Sequence, residues 1–175
     1  MKPLRPFCRR HVFFIHTVLL ASLTLILTSA GEPPSIGGQN ELKISMPNVT
    51  TSGEDGYVCT AFDITTVSNV PIYATGFHPE TSADRAHHML LFTCNSPVQS
   101  QVGTSWSCLT APTCRDQANI IYGWAKNADN LKLPDGVSFP LDPEKSRFLV
   151  LQVHYANQMV QPDSSGLTLE ISHAP

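Results

Sequence analysis

The segment RFLVLQVHY, residues 147–155, leaves a folding chain few choices. As an extended strand its side chains alternate between two faces. Leu149, Leu151, Val153 and Tyr155 then share one face and read as core. Phe148, Val150, Gln152 and His154 share the other. That second face turns polar towards its end, so Gln152 and His154 are predicted to point away from the core. Similar strand-like pieces recur along the chain. Glu41 to Met46 places Leu42, Ile44 and Met46 on one face. Tyr57 to Ile64, Val70 to Phe77 and Leu167 to Ile171 also read as strands, with Pro71 suggesting an edge or a strand start. His88 to Cys94 is apolar throughout and predicts a strand buried on both faces. Ala118 to Ala125 fits a strand or a short helix. Residues 95–118 are rich in turn formers and hold Cys108 and Cys114, which predicts a loop pinned by disulfides. Residues 132–143 read as loop, with a turn at Leu133-Pro134-Asp135-Gly136. Charged residues make up only 14% of the chain, and 14 prolines punctuate it. About eight short strands in one domain predict an all-β fold, an antiparallel β-sandwich of jelly-roll-like type.

The first 30 residues are expected to lie outside that fold. Lys2, Arg5, Arg9 and Arg10 form a basic start, Val18 to Leu27 is apolar, and Thr28-Ser29-Ala30 supplies small residues. This is the pattern of a secretory signal peptide. An uncleaved anchor is the alternative, for which the apolar core is short. Residues 31–40, GEPPSIGGQN, read as a flexible segment, and residues 41–175 as the domain. No later segment is long enough to cross a bilayer, so no stable span is expected in the mature chain. The predicted location is the secretory pathway, secreted or in a vesicle lumen. A net charge of −3 and no basic cluster beyond the signal argue against nucleic acid as a partner. Besides Cys8, the chain has Cys59, Cys94, Cys108 and Cys114, an even number. In a secreted protein that predicts two disulfides. A zinc site is the rival, without any Cys-x-x-Cys to support it. Spacing alone does not choose among the pairings. Asn48-Val49-Thr50 is a glycosylation sequon in a turn.

The chemistry-bearing residues are histidines. His87 and His88 head the run HHMLLFTC, and His154 ends FLVLQVH. Three imidazoles without carboxylate or thiolate suit copper or zinc, and residue type does not separate the two metals. Adjacent strand residues face opposite ways, so His87 and His88 can share an ion only at a strand end or a bulge. His78 and His173 have no partner in sequence and are expected to be structural or solvated. No Gly-x-Ser-x-Gly, phosphate loop or dinucleotide fingerprint is present.

Three blocks in order, HHMLLFTC, WSCLTAPTCRDQANIIYGWAKNADNLKLPDGVSF and FLVLQVHY, resemble the N-terminal copper domain of the peptidylglycine α-hydroxylating monooxygenases. The likeness runs over roughly Leu42 to Ile171. It implies that His87, His88 and His154 hold the electron-transfer copper. It also implies the pairings Cys59–Cys108 and Cys94–Cys114. In that family ascorbate is the reductant and O2 the co-substrate, and the α-carbon of a C-terminal glycine in a peptide is hydroxylated at a second copper. That second site uses a His-x-His pair and a methionine on a further domain, which also holds the glycine-extended peptide. The present sequence has no His-x-His and ends at Pro175, so it is expected to carry the electron-supplying half alone, with no catalytic residue of the second site. A stand-alone secreted copper-binding or electron-transfer module is the alternative, and a sandwich without metal is a third. The family pattern commonly adds a disulfide joining the N-terminal region to positions 163–165. Here Asp163-Ser164-Ser165 and residues 31–45 carry no cysteine.

Overall fold

The computed structural model describes residues 35–36, 40–101, 103–109 and 112–175. The expected signal peptide and most of the expected flexible segment lie outside the described residues. Eleven strands follow one another among these residues: β1 Ser35–Ile36, β2 Glu41–Ser45, β3 Gly56–Asp63, β4 Ile72–Glu80, β5 His88–Cys94, β6 Ser105–Ser107, β7 Asn119–Ala125, β8 Leu131–Lys132, β9 Phe139–Leu141, β10 Phe148–Tyr155 and β11 Gly166–Ser172. The only helical turn among the described residues is a 3-10 turn at Ile64–Thr66. The long strands fall where alternation predicts them, and Ala118 to Ala125 resolves as strand. Four short strands do not appear in the sequence reading. One of them, β1, pairs Ser35 with Lys43 and Ile36 with Leu42, so part of the expected flexible segment is a sheet edge. The other three are β6, inside the disulfide-rich loop, β8, at the start of the 132–143 loop, and β9, inside it. Segments of two or three residues carry no readable period, and only their partners make them strands.

The strands form two antiparallel sheets. One runs β1-β2-β11-β4-β8, with β9 also on β4, and the other β6-β3-β10-β5-β7. Their facing surfaces share one core. Leu42, Ile44, Phe77, Leu167 and Leu169 from the first sheet meet Met89, Leu91, Leu149, Leu151, Val153 and Tyr155 from the second. Phe77 stacks on Tyr122 across the gap, with ring centroids 4.5 Å apart. The apolar face read from RFLVLQVHY is thus the core face, with Leu149, Leu151, Val153 and Tyr155 all at 1% exposure or less. Each fully buried side chain of this kind contributes about 1.5–3 kcal/mol against conformational entropy.

Both disulfides form, Cys59–Cys108 and Cys94–Cys114, as the resemblance implies. They close 49 and 20 positions of chain, and each removes about 3–4 kcal/mol of unfolded-state entropy on the loop model. No third disulfide ties down the stretch after β2. Asp163 does that work instead. It exchanges backbone hydrogen bonds with Val49, both at 2.9 Å, and its buried carboxylate accepts from Tyr155 Oη at 2.8 Å and Ser165 N at 3.0 Å. Burial and the neighbouring Asp163 charge push the Tyr155 hydroxyl well above its usual range, so it stays a donor.

Gly166 marks where β2 and β11 approach most closely. A Cβ there would overlap the Ile44 carbonyl oxygen and come within 2.6 Å of Ser45 Cα. Backbone cannot yield as a flexible side chain does. Gly166→Ala is therefore expected to lose about 1–3 kcal/mol of stability or more. Urea unfolding measures this, and an unchanged midpoint would show that the two strands can separate at little cost.

Candidate metal centre

Strand register assembles the site. Strand β10 pairs with β3 on one side and β5 on the other, and His154 lies opposite both Tyr57 and His88. Cross-strand partners share a face, so Tyr57, His154 and His88 form one row across the sheet. This face is the one opposite the core, as alternation predicts. It is not simply solvated. The disulfide-rich loop folds over it and makes a second apolar cluster from Cys59, Ala61, Phe92, Cys94, Trp106, Cys108, Cys114, Phe148 and Val150. Gln152, half-buried, donates its amide to the Cys108 sulfur at 3.5 Å and to Thr113 Oγ1 at 3.4 Å. His154 is only 8% exposed. The Tyr57 ring stacks on it, 4.2 Å between centroids and 15° from parallel. Alternation distinguishes two faces, but a distant loop decides which of them meets water.

His87 solves the adjacency problem by lying just before β5, at the strand end. Its backbone stays attached, with His87 N donating to the His154 carbonyl at 2.8 Å. Its side chain is freed from strict alternation and turns towards its neighbour. His87 Nδ1 is 3.3 Å from His88 Nδ1, and His154 Nδ1 is also 3.3 Å from His88 Nδ1. The ligand atoms of the three residues all lie within 4.8 Å of one another. Two bonds of about 2.0 Å meeting at roughly 110° would place their nitrogens about 3.3 Å apart, the spacing of His88 Nδ1 from each of the other two Nδ1 atoms. The donor set is all imidazole, which suits copper as well as zinc.

The His88 pKa is lowered. Burial of the ring comes first, followed by repulsion from His154 and His87. His154 keeps its other edge polar, with Nε2 3.3 Å from Asp55 Oδ1. Asp55 and Tyr57 are the neighbours that sequence reasoning misses. Tyr57 begins a predicted strand, but which histidine it would cover depends on a register across 97 positions of chain. Of the remaining histidines, His78 bonds Glu170 at 2.7 Å on the other sheet and His173 is exposed. A second grouping, Cys94, Cys114 and Asp116, offers no metal site, because its two sulfurs are joined to each other. The Asp116 carboxylate there accepts from Asn95 N and Ser96 N, both at 3.0 Å.

Residues 42–162 match the family model for the N-terminal domain of copper type II ascorbate-dependent monooxygenases. The chain belongs to that family. It is 41% identical over 136 residues to peptidyl-glycine alpha-amidating monooxygenase A of Xenopus laevis, and 40% identical over 139 residues to peptidyl-glycine alpha-amidating monooxygenase of Mus musculus. Those alignments cover 75% and 77% of this chain but 14% of each relative. The family is one of oxidoreductases, and residues 42–162 correspond to its N-terminal domain. No helix among the described residues is long and apolar enough to cross a membrane.

The electrostatics give a measurable expectation for the metal-free protein. His88 should titrate below the ordinary imidazole value of about 6.5. The unfolded ring then takes up its proton at higher pH than the folded one, so stability falls as pH drops below about 6.5 and through the folded value. Histidine ring resonances followed by NMR from pH 8 to 4 report this, and a midpoint at or above the ordinary value would contradict it.

Proposed function

We propose that His87, His88 and His154 bind one copper ion through their Nδ1 atoms, and that this domain is the electron-accepting part of an ascorbate-dependent monooxygenase. The observation that carries the reading is the convergence of three Nδ1 atoms, 3.3 Å apart in successive pairs, in a chain of the copper type II family. Copper held there would supply reversible one-electron chemistry, with ascorbate as the reductant. The chain's own part is to hold three neutral imidazoles in place. Strands β5 and β10 fix two of the rings, and the strand end fixes the third. Tyr57 excludes water from one face of His154. The two nearby disulfides keep the covering loop over the sheet.

The relatives are named for amidating peptidyl-glycine. On that ground the whole enzyme hydroxylates the α-carbon of a C-terminal glycine in a peptide, with O2 as co-substrate. The peptide and O2 would be handled at a second copper domain, since no His-x-His pair occurs in these 175 residues. Proximity to the reacting carbon supplies much of such a rate, and that positioning belongs to the domain that holds the peptide. Disulfides point to an oxidising compartment. We therefore assign the protein to the secretory pathway, with residues 1–30 as its signal and Asn48 as a glycan acceptor. Asn48 is exposed, at φ 51°, in the turn after β2.

Purified chain is expected to bind one copper, with a Cu(II) spin-resonance signal that ascorbate bleaches. His154→Ala should lose most of that copper. Equal copper content in the two proteins would overturn the ligand assignment. A second measurement supplies copper-loaded chain with ascorbate, oxygen and a glycine-extended peptide. Reduction without hydroxyglycine is the expected result, and turnover would place a complete active site within this domain.

A further inference from the structure

We propose that Asp55 is a positioning residue for the metal centre: its carboxylate accepts a hydrogen bond from His154 Nε2–H, fixes the tautomer that presents Nδ1 to the ion, and favours Cu(II) over Cu(I). The proposal rests on the three-histidine copper reading above. The carrying observation is the 3.3 Å contact between His154 Nε2 and Asp55 Oδ1, on the ring edge opposite the Nδ1 that faces His88. A neutral imidazole has one N–H and one lone pair. A carboxylate can only accept, so an Nε2–H directed at Asp55 leaves the Nδ1 lone pair free. Among the described residues, His154 is the ligand candidate whose distal nitrogen has such a partner. It is also the most buried of the three.

The backbone shows that Asp55 is held there rather than passing by. Asp55 adopts φ 52°, in the left-handed region where Asp and Asn are tolerated better than most side chains. The turn that imposes this conformation is stitched to the chain just after β10. Thr51 N donates to the Met159 carbonyl at 3.0 Å, Met159 N donates to Thr51 Oγ1 at 2.8 Å, and Asp55 N donates to the Ala156 carbonyl at 3.4 Å. The same turn leads directly into Gly56 and Tyr57, so the residue that stacks on His154 and the residue that bonds its edge are set by one piece of backbone. The Asp55 side chain is 80% exposed, so its charge acts through water at most distances. The contact with a nearly buried nitrogen is what makes it specific. Carboxylate partners of this kind orient ligating histidines and raise their basicity, and their loss typically costs about 10–100-fold in metal affinity. A more basic ligand stabilises the higher oxidation state more than the lower.

The experiment compares copper-loaded wild type, Asp55→Asn, Asp55→Gly and Glu54→Gln. Glu54→Gln removes an exposed negative charge from the same turn without touching His154. Cu(II) affinity is read by chelator competition, and the one-electron midpoint potential by spectroelectrochemistry. Asp55→Asn is expected to weaken Cu(II) binding about tenfold relative to Cu(I), raising the potential by about 59 mV for a one-electron couple. Asp55→Gly should move both readouts the same way. Its metal-free thermal midpoint should be no lower than wild type, because glycine relieves the left-handed backbone. Glu54→Gln should match wild type. Equal shifts in Asp55→Asn and Glu54→Gln, or no shift in either, would overturn the proposal. Failure of wild type to bind copper at all would overturn the three-histidine reading and this proposal with it.

Discussion

Strand β10 is hydrogen-bonded along both of its edges, and its register with β3 and β5 governs everything else in the protein. Moving it by one residue would send Leu149, Leu151, Val153 and Tyr155 to the wrong side of the sheet. The shared core penalises that slip heavily, because each of these side chains is almost wholly removed from water. The same register places His154 beside His88 and Tyr57. The three-histidine cluster therefore inherits its precision from the core. The apolar alternation of β10 sets where His154 lies, and the neighbours Tyr57 and Asp55 then hold its ring.

The other face of that sheet shows how a small domain extends its interior. A loop of mostly irregular backbone could not cover a strand surface stably by itself, since its ordering entropy is large. Two disulfides, one from β3 and one from β5, anchor it. Trp106, Phe92 and Phe148 then fill the space between the anchors. The result is a sandwich with a partial third layer. His87 and His88 are half-buried on this sheet and His154 is buried.

Much of this was legible in the chain, for a physical reason in each case. Leu42, Ile44 and Met46 announce β2 because a half-buried strand must alternate, and all three are core. The two disulfides are legible as a count, and their pairing through family likeness. His87, His88 and His154 stand out by type and by their places at strand ends. Asp55 does not, because nothing in residues 51–56 reveals that this turn folds back against residues 156–159. Trp106 reads as loop because a three-residue strand exists only through its pairing with β3. The dry outer face is illegible for the same reason: burial there is a long-range property. Asp163 is the instructive case, a buried acid where the family pattern commonly has a covalent tie. Of its partners, Tyr155 and Ser165 are close in sequence and only Val49 is distant.

Strand β7 ends its sheet, and its pairing with β5 slips between Leu91 and Phe92. Leu91 faces Tyr122 while Phe92 faces Ile120, so Ile121 is left without an opposite number. The slip lets Tyr122 and Trp124 enter the core while Ile120 turns outward, 58% exposed. Its second effect concerns the free rim of the sheet. A bulged border presents its amides and carbonyls out of step, and an incoming strand cannot zip along it. Two copies meeting edge to edge would find no continuous ladder to share. The irregularity that seats two aromatic rings inside also makes this rim a poor template for edge-to-edge aggregation.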